Sequence, residues 1–302
     1  MKKAHFLLSV TGVFSFLLLP FSLVAEMNFK SSFDWKSGNV KSIGKEIKFV
    51  QCEFTSPRLI KCAAVRIDLS SPAVRFKVTP RSGKWGEKMP DFPQYTIRTD
   101  RKTCRKFMEE SVKKGENMVV AVNSSPWSPW QPPWNHPYAD RTGLIISDGI
   151  LVSPVFRSYP SFAVDKKGKC FFKIFREKDD LSRIRHAVSG FGYVLKNGKV
   201  SGKDNGRLAP RTGYGLSSCG KYLILFVCDG RQKEYSMGCS TYETGEFLQY
   251  FGSSEGLNMD GGGSTTLLVR DGKNILKLNS HRSGSERSVG GAMGILLIGE
   301  KK

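Results

Sequence analysis

One glycine-rich turn constrains the fold and the function of this chain more than any other segment. Asp260 is followed by Gly261, Gly262 and Gly263. Glycines lack Cβ atoms, so the backbone can turn sharply there and its N–H groups can approach a bound group closely. The short apolar run that follows, residues 265–269, is typical of a β-strand. We therefore expect the carboxylate of Asp260 to lie at the mouth of a strand, where it can act on a ligand.

An ordinary turn is the alternative interpretation of this motif. An Asp-Gly pair often forms a turn in which the carboxylate caps its own backbone. Such a turn does not need three consecutive glycines, and here the hydroxyl side chains of Ser264 and Thr265 follow them. These hydroxyls suit phosphate oxygens, or they simply bond the turn. We interpret Asp260 as a functional residue.

Residues 1–25 have the pattern of a secretory signal peptide. Lys2 and Lys3 precede an apolar core, which Pro20 and a few small residues close. An uncleaved anchor is the alternative, but the chain has no second apolar stretch of comparable length. We predict an exported protein, either secreted or held in the periplasm or cell envelope, with no membrane span after the signal is removed.

The formal net charge of +20 is a possible sign of anionic partners. A strongly basic protein meets anionic partners at a raised rate, although solubility explains such a charge equally well. The chain has no zinc-finger spacing and no ribonucleoprotein motif, so we do not expect nucleic acid as a partner. An anionic envelope polymer remains open. No cofactor is predicted, and a divalent metal requirement is left open.

Seven cysteines in an exported chain permit disulfides and leave one thiol over. Cys52 and Cys62 flank a Ser-Pro-Arg turn and suit a hairpin disulfide. Cys219 and Cys228 bracket a second turn and strand. No C-x-x-C spacing occurs, so the sequence argues against a zinc site.

The chain alternates short β-like runs with Pro, Ser and Gly turns, and only two segments have helical periodicity. These helical segments are residues 99–113 and 240–251. We therefore predict an α+β fold with mixed or antiparallel β-sheets and few helices. The expected division is a β-rich N-terminal region, residues 26–115, followed by a catalytic domain, residues 116–302.

A tryptophan-rich loop follows the apolar strand that ends at Asn123. Residues 124–134 contain three tryptophans and four prolines, which makes the loop rigid and rich in flat apolar faces. Sugars expose C–H faces that pack on aromatic rings, so this composition suits a carbohydrate platform. In the alternative interpretation, the tryptophans plug the end of a sheet.

The motif at Asp260, with Glu246 on the preceding helix, resembles the signature of the phosphodiester glycosidase family. The resemblance extends over residues 119–298 in the family's order and includes Asp-Gly and Asn-Gly hairpins and an Arg-Thr strand at Arg211 and Thr212. One departure follows Asn123. The family usually continues with Gly-Gly-Tyr-Phe or Ala-Gly-Phe-Phe, whereas this chain has Ser-Ser-Pro-Trp. This difference affects the expected identity of the substrate more than the expected fold.

The resemblance implies cleavage of a sugar-1-phosphodiester at the anomeric carbon. Glycoside cleavage commonly uses two carboxylates, and a phosphate leaving group needs cationic binding more than acid assistance. The predicted catalytic residues are Asp260, Glu246 and Asp229. A solvated helix residue is the alternative for Glu246, and a hairpin turn is the alternative for Asp229. The predicted substrate-binding residues are Asn123, Arg211, Thr212, Gly261, Gly262, Gly263, Ser264 and Thr265, with the guanidinium fork of Arg211 suited to phosphate oxygens.

Two function classes remain open. The first is a secreted hydrolase of the α-N-acetylglucosaminidase-like type that acts on phosphodiester-linked glycans of an envelope or a host. The second is a non-catalytic protein that binds or assembles exopolysaccharide or envelope glycan. The presence of Arg211, Glu246 and Asp260 favours the enzyme.

Overall fold

The computed structural model describes residues 27, 29, 31–201 and 206–299. The predicted signal peptide, residues 1–25, lies outside the described residues.

The first half of the described chain forms the following elements: β1 (Lys41–Ile43), β2 (Ile47–Phe54), β3 (Ile60–Asp68), β4 (Val74–Val78), β5 (Lys88–Met89), β6 (Phe92–Thr96), β7 (Thr99–Asp100), α1 (Cys104–Lys113), β8 (Met118–Asn123), β9 (Trp127–Ser128), β10 (Tyr138–Arg141), β11 (Ile145–Ser147) and β12 (Ile150–Ser153). The second half forms β13 (Pro160–Asp165), β14 (Cys170–Ile174), β15 (Ile184–Ser189), β16 (Gly192–Lys196), β17 (Lys199–Val200), β18 (Arg211–Leu216), β19 (Tyr222–Cys228), α2 (Thr241–Tyr250), β20 (Glu255–Asn258), a 3₁₀ turn (Gly262–Ser264), β21 (Leu267–Asp271), β22 (Asn274–Lys277) and β23 (Ala292–Leu297).

Antiparallel sheets dominate the described part of the chain. The largest has eight strands in the order β1-β2-β3-β19-β18-β20-β16-β17, and two five-stranded sheets have the orders β22-β21-β8-β23-β4 and β12-β11-β15-β13-β14. The pairings in these three sheets are antiparallel. The predicted α+β class with antiparallel sheets and few helices is confirmed, since only two α-helices occur among the described residues.

The eight-stranded sheet buries both of its faces, which explains why its central strand β19 is apolar throughout. Leu223, Leu225 and Val227 of β19 point into a core shared with the two five-stranded sheets. Ile224 and Phe226 point to the opposite face, which helix α2 covers. Helix α1 packs on the outer face of the sheet that contains β8. The result is a layered molecule with one large inter-sheet core.

Both helices begin at side-chain caps. The hydroxyl of Thr103 accepts a hydrogen bond from the Lys106 amide at 3.0 Å, so α1 starts after it and not at the predicted residue 99. Ser240 and Glu243 form a capping box at the start of α2. Such caps satisfy amide groups that would otherwise lack partners at a helix N-terminus.

The two regions predicted from the sequence share sheets. Strands β2 and β3, from residues 26–115, extend the same eight-stranded sheet that contains β18, β19 and β20. Strand β4 from that region pairs with β23, near the C-terminus. The sequence boundary at residues 115 and 116 therefore does not separate two sheets.

All seven cysteines are free thiols. Cys52 and Cys62 face each other across β2 and β3, as expected for residues that flank a hairpin. Cys219 is exposed whereas Cys228 is buried. Neither helix of the described chain combines the length and the apolar character needed to span a bilayer.

Candidate active site

Asp260 lies where the chain crosses from the eight-stranded sheet to the sheet that contains β8. It follows β20 and precedes the 3₁₀ turn and β21. Its amide donates to the carbonyl of Ser124 at 3.1 Å, and the amide of Met259 donates to the carbonyl of Thr212 at 2.9 Å. These bonds fix the segment against the ends of β8 and β18. The motif therefore lies beside the strand ends of both sheets.

The carboxyl group of Asp260 is buried and has an unusual pKa. Its Oδ1 accepts a hydrogen bond from the Gly261 amide at 3.0 Å, whereas Oδ2 is buried without a hydrogen-bond partner among the described residues. Burial raises the pKa of Asp260 to about 6, against the opposing effects of the Ser264 hydroxyl and of Arg141. The Ser264 hydroxyl is near enough to influence the carboxyl but falls outside normal hydrogen-bond geometry. A carboxyl with this pKa can exchange a proton near neutral pH.

Arg141, at the end of β10, is a buried cation beside this carboxyl. One terminal nitrogen donates to the Ser124 hydroxyl at 3.2 Å, while Nε and Nη1 have no partner among the described residues. Burial lowers the pKa of Arg141 to about 10, and the charge of Asp260 acts in the opposite direction, so the guanidinium stays protonated at neutral pH. Buried donors are normally satisfied. Unpartnered guanidinium donors suit the oxygens of an anionic ligand.

The glycines of the motif make room for two further arginines. A Cβ atom on Gly263 would lie 2.4 Å from Cζ of Arg287, so any other residue here would displace that guanidinium. Gly262 has a φ of 62° and lies against Arg231, whose Nη1 would be 3.4 Å from a Cβ at this position. Asp260 and Arg287 influence each other's pKa through space. The glycines were predicted to let a bound group approach the backbone closely. In the structure, arginine side chains of the protein itself make such close approaches.

Asn123 holds the motif in place from the end of β8. Its Nδ2 donates to the Asp260 carbonyl at 2.7 Å, and its Oδ1 accepts from the Thr212 hydroxyl at 2.9 Å and from the Thr266 amide at 3.0 Å. The Tyr214 hydroxyl donates to the Asn123 carbonyl at 3.0 Å. Asn123 and Thr212 are fully buried. Both side chains were predicted to bind substrate, but in this structure they position Asp260.

Asp229 forms a second buried carboxyl at the end of β19. Its Oδ1 accepts from the Ser280 amide at 2.7 Å. Burial raises the pKa of Asp229 to about 6, while the Ser280 amide, Asn279 and Tyr235 lower it. Asn279 also donates to the Thr265 carbonyl at 2.9 Å, so Asp229 is connected to the glycine-rich motif through one side chain.

The tryptophan-rich loop is partly buried and partly open. Trp127 is 5% exposed, whereas Trp130 and Trp134 are 51% and 54% exposed. Trp130 packs against Trp127, with ring centroids 4.9 Å apart. Trp127 therefore fills the space beside the strand ends, whereas Trp130 and Trp134 face solvent, and the carbohydrate platform stays a prediction.

The phosphodiester glycosidase family matches residues 116–296 of this chain, which is more than half of its length. The chain belongs to the phosphodiester glycosidase family. This membership places it among hydrolases. No curated protein sequence matches the chain.

Solved structures share the fold of this family member. The catalytic domain of zebrafish N-acetylglucosamine-1-phosphodiester α-N-acetylglucosaminidase, auto-inhibited by its pro-peptide, has a TM-score of 0.57 and 19% identity, covering 90% of this chain and 87% of its own. A hypothetical protein from Synechocystis has a TM-score of 0.57 and 13% identity, covering 87% of this chain and 64% of its own. At these identities the likeness concerns the fold.

Arg211 lies beside Gly261, and two of its donors are bound by backbone carbonyls. Its Nε donates to the Cys239 carbonyl at 3.0 Å and its Nη2 donates to the Arg207 carbonyl at 2.7 Å. Arg211 and Thr212 are successive residues of β18, so their side chains point to opposite faces of the sheet. Thr212 faces the inter-sheet core, and Arg211 braces backbone on the other face.

Glu246 is also separated from the candidate site. Helix α2 covers the face of the eight-stranded sheet that is opposite the inter-sheet core. The Oε2 atom of Glu246 accepts a hydrogen bond from the Met27 amide at 3.4 Å. Glu246, which was predicted to be catalytic together with Asp260, therefore lies on the face of the sheet opposite the inter-sheet core.

Sequence reasoning missed Arg141 and Arg287. Each lies in an ordinary polar context, and neither belongs to the quoted motif. The pair Gly290-Gly291 was the one sequence signal for a close contact here. A Cβ on Gly291 would lie 1.7 Å from Nη1 of Arg141. The described residues contain no group of three or more His, Cys, Asp or Glu side chains arranged to hold a metal ion.

Proposed function

We propose that this protein is an exported hydrolase that cleaves a sugar-1-phosphodiester at its anomeric carbon. The observation that carries this proposal is the pairing of two buried groups, the Asp260 carboxyl with an unpartnered Oδ2 and the Arg141 guanidinium with two unpartnered donors. A cation of this kind suits a phosphate leaving group, and a carboxyl with a pKa of about 6 suits proton transfer at neutral pH.

The roles of the site residues follow from their charges. Arg141 and Arg287 bind the phosphoryl oxygens and stabilise the negative charge that grows as the bond between C1 and the phosphate oxygen breaks. Asp260, ionised above about pH 6, accepts a proton from the water that adds to C1. The products are the free sugar and a phosphomonoester, and the proton passes from Asp260 to solvent.

Asn123 and Thr212 serve this chemistry by positioning. The Asn123 side chain is hydrogen-bonded to the Asp260 carbonyl and to the Thr266 amide, and the Thr212 hydroxyl donates to Asn123. A site held by such a satisfied buried network changes little in geometry during a reaction, which is what electrostatic stabilisation of a transition state requires.

The direct test is turnover of a panel of sugar-1-phosphodiesters, with p-nitrophenyl glycosides of the same sugars as controls. Cleavage at the anomeric carbon in H₂¹⁸O places ¹⁸O in the released sugar. Label in the phosphomonoester instead would show cleavage of the P–O bond and would reject the proposed chemistry. An α-N-acetylglucosamine-1-phosphodiester is the first member of the panel, in keeping with the zebrafish structural neighbour.

Export is proposed from residues 1–25 alone. Their lysines, apolar core, proline and small residues form the signal-like pattern. Mass spectrometry of the native protein should find a mature N-terminus near Glu26. Recovery of intact Met1 from the cytosolic fraction would reject export.

A non-catalytic glycan-binding protein is the second candidate. The exposed rings of Trp130 and Trp134 favour it, because large exposed aromatic side chains commonly mark a binding surface. This candidate replaces the hydrolase if the protein cleaves no member of the panel yet binds an envelope polysaccharide through these rings.

A further inference from the structure

Four cysteine side chains form a row across the face of the eight-stranded sheet that helix α2 covers. Cys52, Cys62 and Cys228 lie at the same level on the adjacent strands β2, β3 and β19, because Cys62 pairs with Cys52 on one side and with Cys228 on the other. Cys239 lies beside the row and acts on the pKa of both Cys62 and Cys228. All four side chains belong to one apolar cluster. The proposed hydrolysis uses none of them.

Backbone hydrogen bonds decide which pair in the row lies closer. The Asp229 amide donates to the Lys61 carbonyl at 2.9 Å, a bond that makes Cys62 and Cys228 a non-hydrogen-bonded pair. Opposed Cα atoms in such a pair are about 4.5 Å apart, against about 5.5 Å in a hydrogen-bonded pair, which is the arrangement of Cys62 with Cys52. Bridged Cβ atoms are about 3.5–4.5 Å apart, so the closer pair, Cys62 with Cys228, fits a disulfide better.

Cys52 is the member of the row that an external reagent can reach. It is half-buried, whereas the other three thiols are buried. The hydrogen bond from the Cys62 thiol lowers the pKa of Cys52, against the opposing effect of burial. Burial raises the pKa of Cys62 and of Cys228 well above the usual value of a thiol. Because the thiolate is the attacking form in disulfide exchange, Cys52 reacts first.

Reaction at Cys52 also prepares Cys62 for the next step. After burial, the hydrogen bond with Cys52 and the charge of Cys52 contribute most to the raised pKa of Cys62. A Cys52 sulfur held in a mixed disulfide carries no charge, so the charge contribution disappears. The thiolate fraction of Cys62 therefore rises at the moment when a disulfide lies beside it.

We propose that this row is a thiol–disulfide exchange site, which takes up an external disulfide at Cys52 and ends as a buried disulfide between Cys62 and Cys228. The Cys52 thiolate attacks the external disulfide, and one half of that reagent leaves as a thiol. The Cys62 thiolate attacks the Cys52 sulfur and releases the second half. The Cys228 thiolate then attacks the Cys62 sulfur and releases the Cys52 thiol. Two cysteine thiols are oxidised, and one external disulfide is reduced to two thiols.

This end product differs from the hairpin disulfide between Cys52 and Cys62 that the sequence suggests. Buried cysteines commonly serve as small apolar residues, and that role requires neither contact between thiols nor a half-exposed thiol at one end of the row. The oxidising compartment in which the external disulfide is met rests on the proposed export.

The test is a time course of the purified protein with oxidised glutathione, quenched in acid and mapped by mass spectrometry without reduction. Arginine and lysine residues separate the four cysteines in sequence, so trypsin places each on its own peptide. We expect glutathione on Cys52 first, then a peptide linked between Cys52 and Cys62, and finally a peptide linked between Cys62 and Cys228 that accounts for most of the oxidised row. A row that gains no internal linkage overturns the proposal, and so does an end product other than the Cys62–Cys228 disulfide.

Variants test the order of the steps. Cys52→Ser should slow formation of the Cys62–Cys228 disulfide at least about tenfold, because the accessible thiolate is lost. Cys228→Ser should stop the reaction at the Cys52–Cys62 disulfide, and if this variant does not fold, the time course of the parent decides. Equal rates in the parent and in Cys52→Ser overturn the proposed entry point.

Cys219 provides the matched control. It is exposed, and its sulfur lies 3.4 Å from the hydroxyl of Ser217. In the parent it should take up glutathione and keep it, which shows that the oxidant is active, and Cys219→Ser should leave the exchange within the row unchanged. All linkages are measured on purified protein without a turnover assay. A failed linkage map therefore overturns the exchange site and leaves the proposals of hydrolysis and export untouched.

Discussion

Asp229 and Asp260 have the same shifted pKa in different surroundings. Burial raises both to about 6. Asp229 accepts a hydrogen bond from a backbone amide and has Asn279 and Tyr235 nearby, whereas one oxygen of Asp260 lacks a partner among the described residues, and the charges of the buried Arg141 and of Arg287 act on this carboxyl. A shifted pKa alone therefore does not identify a catalytic carboxyl, and the unmet hydrogen-bonding capacity around Asp260 is what distinguishes it.

The largest expected effect is that of Asp260→Asn. The substitution keeps the size and the acceptor for the Gly261 amide but removes proton transfer, so kcat/KM for a sugar-1-phosphodiester should fall by about 10²–10⁴-fold. Steady-state kinetics on a substrate that the parent cleaves measures this loss.

Stability provides the control for Asp260→Asn. Because the folded-state pKa is raised from 3.8 to about 6, the contribution of Asp260 to stability is fully present below pH 4 and is lost as the pH rises through 6. The asparagine variant should therefore gain stability relative to the parent at pH 8 compared with pH 4. A variant that unfolds at pH 8, or one with parent-like turnover, would contradict the assignment.

Arg141→Lys tests the cation that faces Asp260. Lysine keeps the charge but loses the planar fork, so kcat/KM should fall by about 10- to 100-fold, the size of one or two hydrogen bonds to a charged group. The matched control is Arg211→Lys, because the Arg211 donors bind the Cys239 and Arg207 carbonyls. A larger loss of phosphate affinity in Arg211→Lys than in Arg141→Lys would restore the sequence-based assignment.

Asp229→Asn should have a smaller effect, because the asparagine oxygen can still accept the Ser280 amide. We expect activity within about tenfold of the parent, the cost of weakening one hydrogen bond to a charged group.

The pH dependence of kcat/KM distinguishes the two carboxyls further. In the parent, kcat/KM should rise with pH through about 6 as a carboxyl ionises, and Asp229→Asn should keep this limb whereas the residual activity of Asp260→Asn should lack it. Loss of the limb in Asp229→Asn alone would exchange the roles of the two carboxyls.

The sequence predicted the position of Asp260 well because the motif is local. Three glycines next to a carboxylate, between a capped helix and an apolar strand, specify a turn whose geometry depends on few distant residues. The antiparallel sheets with two helices were also predictable, since Asp-Gly and Asn-Gly turns select hairpins. Asp148, Gly149, Asn197 and Gly198 all adopt the positive φ values that such turns require.

The remainder of the site depends on contacts between segments that are distant in sequence. Arg141 and Asp260 meet only because β10 and β20 end at the same edge, and no local pattern encodes that meeting. The face of the sheet on which Arg211 lies could have been predicted from the sequence. Strand alternation places it on the face opposite Thr212, so the two could not both face the same ligand between the sheets.

Glu246→Gln should have the smallest effect of the three carboxyl substitutions. Its carboxylate lies on α2, across the sheet from Asp260, and accepts a long hydrogen bond from the Met27 amide that glutamine can also accept. We expect kcat/KM within about twofold of the parent, the range typical of a substitution away from the site. A loss comparable to that of Asp260→Asn would make Glu246 the second catalytic carboxylate after all. It would also show that α2 changes position when substrate binds, since the present arrangement holds the two carboxyls on opposite faces of the sheet.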